Sequence, residues 1–188
     1  MPSHGRMART VFTIGHSTHS SERLLELLAP HGVRALADVR AHPGSRRHPH
    51  FAREALARSC LERGVEYVWM PGLGGRRTRG TAPSRHGAWT EPSFRNYADY
   101  MDTAEFAGAR AELEALADRV PTAFLCAEGL WWQCHRRLIA DALAAEGWAV
   151  RHILPNGGLA EHRLPEFARV VDGRPVYDVG VTPDLDLR

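Results

Sequence analysis

Short apolar runs typical of β-strands alternate along the chain with helical patterns of leucine and alanine. Three of the helical patterns end in a glycine, and an apolar run follows each glycine. Glycine just past a helix end accepts the left-handed backbone conformation without strain, so these positions are expected helix stops. Strands that alternate with helices favour a mostly parallel sheet with helices on both faces. The glycines are Gly32, Gly64 and Gly147, and the predicted strands are 10–14, 34–39, 66–69, 122–125 and 149–154.

This pattern predicts a single Rossmann-like α/β domain over residues 10–155, with about five mostly parallel strands flanked by helices. Residues 156–188 carry turn signals and a short β-type run at 175–179. We expect them to form a C-terminal extension that packs on the same domain. The segment 71–92 is rich in glycine and arginine and exceeds an ordinary connection. Such length is typical of a lid or a binding loop.

Composition narrows the classes of protein to be considered. The chain has 188 residues, of which 44% are hydrophobic and 24% charged, and this suits one soluble domain with its own core. No apolar run could span a membrane, and the three cysteines do not suggest a disulfide framework, so we expect a cytoplasmic protein without a membrane partner. All 24 basic residues are arginine, which excludes lysine-based catalysis. The net charge of +2 does not indicate general binding of nucleic acid.

The stretch from Cys126 to Arg137 contains two thiols, an acid, an imidazole and two guanidinium groups. It lies where a predicted strand leads into a predicted helix, which is the place where ligands bind in open α/β sheets. Cys134 lies near the predicted helix N-terminus beside histidine and arginine, so we expect its pKa to be lowered and its sulfur to be nucleophilic. We predict Cys134 and His135 as catalytic residues, with Glu128 orienting an imidazole or acting as acid or base.

Asp38 interrupts an apolar run that should be buried on both faces of the sheet. A buried carboxylate needs a partner, and Arg40 points to the same side of the strand. Two interpretations are therefore open for Asp38, a catalytic base or an ion pair with Arg40.

The carboxyl ends of parallel strands meet at one edge of a sheet, and every predicted strand here is followed by polar or flexible residues. Arginine makes bidentate contacts to phosphates, and exposed tryptophan can stack on a base, so these residues favour a nucleotide-like, anionic ligand. The predicted substrate-binding residues are His16, Ser17, Arg40, Ser45, Arg46, Gly74, Gly75, Arg76, Trp132 and Arg136.

Several segments resemble, in order, a bacterial family of uncharacterised proteins catalogued as domain of unknown function 488. The resemblance covers roughly residues 11 to 155. It implies a compact α/β domain with shared motif residues but no particular reaction. The matching segments are 13–17, 38–40 with Pro43, Ser45 and Arg46, 73–75, 97–101, 126–128, 134–136 and 152–153.

We expect an enzyme that acts on a small phosphate-bearing substrate at the carboxyl edge of the sheet. One alternative is a module that binds nucleotides or single-stranded nucleic acid through arginines and the tryptophan pair at 131–132. Another is a metalloprotein, because the pairs His16/His19 and His48/His50 have suggestive spacings and Cys134 with His135 could join them. The sequence assigns no metal ligands, no cofactor and no oligomeric state.

Overall fold

The computed structural model of the protein describes residues 9–44, 48–78, 80 and 82–181. A six-stranded sheet forms its centre, with the order β3-β2-β4-β1-β5-β6. The first five strands are parallel, and β6 is antiparallel to β5. These strands are β1 (Thr10–Gly15), β2 (Ala35–Asp38), β3 (Glu66–Trp69), β4 (Thr122–Cys126), β5 (Ala149–Ile153) and β6 (Leu159–Glu161).

Helices cover both faces of the sheet, as the alternating pattern predicts. One apolar cluster holds the side chains of the first two helices, and the other holds those of the last three. The predicted mostly parallel α/β fold is thereby confirmed. Among the described residues, the helices are too short or too polar to cross a membrane. The helices are α1 (Ser21–Leu28), α2 (Arg53–Glu62), α3 (Pro92–Met101), α4 (Ala104–Arg119) and α5 (Arg136–Ala145).

Helix caps and glycines mark the ends of several helices. Ser20 caps α1, because its hydroxyl accepts a hydrogen bond from the backbone N–H of Arg23 at 3.1 Å. Gly32, Gly64 and Gly147 have φ values of +65°, +67° and +85°. These left-handed positions are the expected helix stops, and each one turns the chain into the next strand.

Two elements of the described chain beyond residue 155 pack on the sheet domain. The chain first adds β6 to the edge of the sheet. It then forms a hairpin from β7 (Ala168–Val171) and β8 (Arg174–Tyr177). Tyr177 at the end of β8 is fully buried, and its hydroxyl donates to the Asp141 carboxylate of α5 at 2.7 Å.

Candidate active site

A cleft of about 500 Å³ opens at the carboxyl ends of β2 and β4, where the parallel strands place the polar residues that follow them. Residues after three different strands line it, together with side chains from α3. Of the sequence-predicted site residues that the structure describes, six line this cleft: Arg40, Gly75, Arg76, Glu128, Cys134 and His135.

Cys126 is the last residue of β4 and has its sulfur in the cleft wall beside His135. Its Sγ lies 3.9 Å from Nδ1 of His135, while Nε2 of the same ring lies 3.1 Å from the carbonyl oxygen of Val39. A neutral imidazole that donates from Nε2 to a carbonyl keeps Nδ1 free to accept. The backbone of β2 therefore orients His135 so that its basic nitrogen faces the Cys126 thiol.

The two thiols of the cleft have opposite pKa shifts. The pKa of Cys126 is lowered to about 7, first by a hydrogen bond from Cys134 and further by the charge of Arg136 and the N–H groups of Glu128 and Ala127. The pKa of Cys134 is raised, because that thiol donates the hydrogen bond and lies beside the negative sulfur in a buried place. The expected lowering of the Cys134 pKa is thus wrong, and the lowered pKa belongs to Cys126 instead.

Arg136 is fully buried and does not line the cleft, which corrects the prediction that it contacts substrate. Its Nε donates to the sulfur of Cys134 at 3.3 Å and its Nη1 to the hydroxyl of Thr13 at 2.9 Å. Its Nη2 donates to the carbonyl oxygens of Glu128 at 2.5 Å and Gly129 at 3.3 Å. The guanidinium group therefore holds the loop between β4 and α5 and places a positive charge behind the thiols.

Asp38 forms the ion pair that was one of its two interpretations. Its carboxylate is fully buried and accepts from Nε of Arg40 at 2.8 Å and from Nη2 at 2.5 Å. It also accepts from the hydroxyl of Tyr67 at 2.5 Å. Because both oxygens are occupied and Asp38 does not line the cleft, its geometry favours a residue that positions Arg40 over a catalytic base.

His16 and Ser17 lie behind the cleft wall and do not line it. His16 is buried, with Nδ1 2.9 Å from the carbonyl oxygen of Ser17 and Nε2 3.4 Å from Nη1 of Arg40. The backbone N–H of Ser17 donates to the carbonyl of Ala127 at 2.9 Å. Both residues therefore support the cleft wall and the position of Arg40, rather than facing a ligand.

A scan against protein families matches residues 20–143 to the family described as Domain of unknown function DUF488. The chain belongs to this family. The match confirms the resemblance seen in the sequence segments. The comparisons with curated proteins and with solved structures gave no match. The matched span of the DUF488 domain includes Asp38, Arg40, Gly75 and the Cys126–His135 region, whereas His16 precedes it.

Gly75, in the loop after β3, lies against the imidazole of His135. A Cβ atom added there would lie 2.4 Å from Nδ1 of His135 and 2.8 Å from its Cγ. Only glycine leaves this room for the ring. Gly74 does not line the cleft. It packs on Ala41, where an added Cβ atom would lie 2.9 Å from the Ala41 Cα.

Of the remaining predicted substrate-binding residues, one lines the cleft, one does not, and two are not described by the structure. Arg76 is exposed and lines the cleft. Trp132 is 43% exposed but does not belong to the cleft wall, so it is not brought together with the thiols. Ser45 and Arg46 lie outside the described residues, and the structure places neither of them.

Sequence reasoning missed the part of the cleft that α3 provides. Phe94 and Tyr97 line it, and the Tyr97 hydroxyl donates to the carbonyl of Leu73 at 2.8 Å. The ring of Tyr97 lies 5.5 Å from that of His135. Gln133 and the exposed His42 line the cleft as well. The available signal was the segment 97–101 in the family resemblance, since a tyrosine on an apolar helix face otherwise predicts only core packing.

One group among the described residues has the spacing of a metal site. The ligand atoms of Cys126, Cys134 and His135 lie within 4.8 Å of one another. Two thiols and an imidazole suit zinc or another soft cation. The pairs His16/His19 and His48/His50, noted in the sequence, belong to no such group in the described part of the chain.

A second buried polar network lies behind the thiols. From the hydroxyl of Thr13 it runs to Nδ1 of His152 at 3.2 Å, and from Nε2 of His152 to Nδ1 of His162 at 3.0 Å. Nε2 of His162 then lies 2.8 Å from the Asp141 carboxylate. Since Arg136 also donates to Thr13, this network links the extension beyond residue 155 to the candidate site.

We expect the stability of the DUF488 domain to fall between pH 7 and pH 5, and His16 to account for part of this loss. Burial and then the charge of Arg40 lower the pKa of His16 from 6.5 to about 4. Below pH 6.5 the unfolded state therefore binds a proton that the folded state excludes, which costs about 2 kcal/mol at pH 5. Urea unfolding of His16→Gln should show a pH 7 to pH 5 difference smaller by this amount. An unchanged difference would contradict the assignment.

Proposed function

We propose that this protein is a cysteine-dependent enzyme that acts on a small anionic, phosphate-bearing substrate. Cys126 is the nucleophile and His135 is its base. The observation that carries the proposal is the position of the Cys126 sulfur, 3.9 Å from an imidazole nitrogen whose ring is fixed by a backbone carbonyl. A thiol beside an oriented base in an open cleft is the arrangement of covalent catalysis by cysteine.

The proposed reaction has two steps. In the first, His135 accepts the proton of Cys126, the sulfur bonds to the electrophilic atom of the substrate, and the bond to the leaving group breaks. The leaving group keeps the electron pair and takes the proton from His135. In the second, water attacks the same electrophilic atom, the bond from that atom to sulfur breaks, and the sulfur leaves as a thiolate with the electron pair. The exposed Glu128 side chain at the cleft accepts one proton from this water and passes it to the thiolate, which restores the thiol.

Two arginine side chains and one aromatic ring at the cleft suit an anionic, nucleotide-like ligand. Arg40 lines the cleft and is held there by Asp38, so little side-chain freedom is lost when a ligand binds. Arg76 is exposed on the same cleft. Phe94 offers an aromatic face that suits the base of a nucleotide. The free thiol that the reaction requires agrees with the cytoplasmic location expected from the sequence.

Alkylation with iodoacetamide, measured against pH with peptide mapping, tests the nucleophile. We expect Cys126 to react first, with an apparent pKa of about 7, and Cys126→Ser to lose the fast phase. Cys60→Ser is the matched control, because Cys60 is fully buried and its pKa is raised to about 12 by burial. Fast reaction at Cys134, or an apparent pKa near the ordinary value of about 8.5, would overturn the proposal.

Ligand protection tests the substrate class. Inorganic phosphate and adenosine monophosphate should each slow the alkylation of Cys126, and Arg76→Gln should weaken this protection. Protection by single-stranded oligonucleotides but not by the mononucleotide would favour the alternative of a nucleic-acid-binding module.

Elemental analysis of the purified protein tests the metalloprotein alternative. One equivalent of zinc that is lost in Cys134→Ser would assign the cluster of two thiols and an imidazole to metal binding. That result would contradict the proposal that Cys126 is a free nucleophile. Metal-free protein with a fast-reacting Cys126 would support the enzyme.

A further inference from the structure

We propose that Cys126 and Cys134 form a redox pair that reduces a hydroperoxide and is converted into a disulfide. Both sulfurs line the same cleft, and they lie within 4.8 Å of each other. The two cysteines lie at different ends of the loop between β4 and α5, since Cys126 ends β4 and Cys134 lies just before His135, the N-cap of α5. This inference goes beyond the proposed group transfer, although the two activities share the Cys126 sulfur.

Cys126 carries out the first step. Its thiolate attacks the terminal oxygen of the hydroperoxide, so that an S–O bond forms and the O–O bond breaks. The alkoxide that leaves takes up one proton and becomes an alcohol, while Cys126 becomes a sulfenic acid. The sulfur is oxidised by two electrons and the peroxide is reduced by two. The backbone N–H groups of Ala127 and Glu128 hold the reacting sulfur as the thiolate.

Cys134 carries out the second step. Its thiolate attacks the Cys126 sulfur, the S–S bond forms and the S–O bond breaks, and the hydroxide that leaves becomes water by taking up a proton. One thiol and one sulfenic acid thus give one disulfide and one water. An external thiol returns the disulfide to two thiols by exchange.

The position of His135 assigns the first step to Cys126, because its Nδ1 lies 3.9 Å from the Cys126 sulfur, and the charges around the pair agree with this order. In the reduced protein the Cys126 sulfur raises the pKa of Cys134, because Cys134 donates its hydrogen bond to it and lies beside its negative charge. When Cys126 becomes an uncharged sulfenic acid, this cause disappears. The guanidinium group of Arg136, whose Nε is 3.3 Å from the Cys134 sulfur, then favours the second thiolate.

Cys60 provides the control within the same chain. It is fully buried on α2 among the apolar side chains that cover the other face of the sheet. The described structure contains these three cysteines as free thiols. Oxidation of the cleft pair should therefore leave one thiol.

The test is titration of the reduced protein with hydrogen peroxide, followed by counting thiols after unfolding and by peptide mapping. Wild type and Cys60→Ser should each lose two thiols and form a Cys126–Cys134 bond that dithiothreitol reverses. Cys134→Ser should accumulate a sulfenic acid on Cys126 that dimedone traps. In Cys126→Ser the rate of thiol loss should fall by about tenfold or more, because this variant lacks the reactive thiolate.

Several outcomes would overturn the redox pair: a bond that involves Cys60, a bond between two chains, or an equally fast loss of thiols in Cys126→Ser. Mapping of oxidised wild type remains decisive if a variant misfolds. A fast-alkylating Cys126 without disulfide formation would refute the redox pair and leave the proposed enzyme intact. Disulfide formation with no protection by phosphate compounds would support the pair and count against the proposed substrate.

Discussion

Replacing Asp38 with alanine is expected to lower the free energy of unfolding by about 3–5 kcal/mol, the usual cost of removing one partner from a buried ion pair. Arg40 is only 7% exposed, and without Asp38 its guanidinium group would keep a buried charge that has no counter-ion. The hydroxyl of Tyr67 would lose its acceptor as well. Urea unfolding followed by circular dichroism measures the change.

Two controls separate this effect from the loss of any carboxylate. Glu66 pairs with Arg119 at 2.8 Å, but the two side chains are 45% and 56% exposed, so Glu66→Ala should cost no more than about 1 kcal/mol. The double substitution of Asp38→Ala with Arg40→Leu should regain part of the loss, because it removes the unpaired charge. A cost for Asp38→Ala equal to that for Glu66→Ala would show that the ion pair contributes little.

The substitution Gly75→Ala is expected to slow the alkylation of Cys126 at pH 7 by about tenfold, which is less than the roughly 100-fold lower bound for a general base because the imidazole is displaced and not removed. The added Cβ would lie 2.4 Å from Nδ1 of His135, so the ring must move away from the thiol. A displacement on the order of 1 Å is enough to impair a catalytic group. Rates of iodoacetamide modification with peptide mapping give the measurement.

Gly44→Ala is the matched control for this prediction. Gly44 lines the same cleft, but a Cβ atom there meets no atom of the other described residues within 4 Å. It should leave the alkylation rate unchanged. Equal rates in Gly75→Ala and wild type would show that the imidazole does not assist Cys126, whereas equal losses in both variants would point to access rather than to the base.

The fold could be predicted because its signals are local. The glycine stops at Gly32, Gly64 and Gly147 and the apolar runs between them specify helices and strands through backbone conformation and burial alone. Parallel connections then bring the residues after each strand to one edge, which is why Arg40, Gly75 and Cys134 were expected near one another.

The assignment of the site residues required distances that the sequence does not contain. Cys134 was expected to have the lowered pKa because it lies near a predicted helix N-terminus and has histidine and arginine as neighbours in the chain. In the folded protein the hydrogen bond between the two sulfurs decides, and it lowers the pKa of Cys126 while raising that of Cys134. Arg136 looked like a ligand for phosphate, yet carbonyls eight and seven residues before it take its N–H groups.

The sequence by itself determined the α/β architecture, the family and the edge of the sheet where polar residues collect, since helix stops, strand patterns and ordered motifs are properties of neighbouring residues. Only the tertiary structure decided which side chains face the cleft. It turned Nδ1 of His135 toward Cys126 through the carbonyl of Val39, 96 residues away in the chain. Orientation and pKa depend on contacts between distant segments, and such contacts exist only after the sheet has formed.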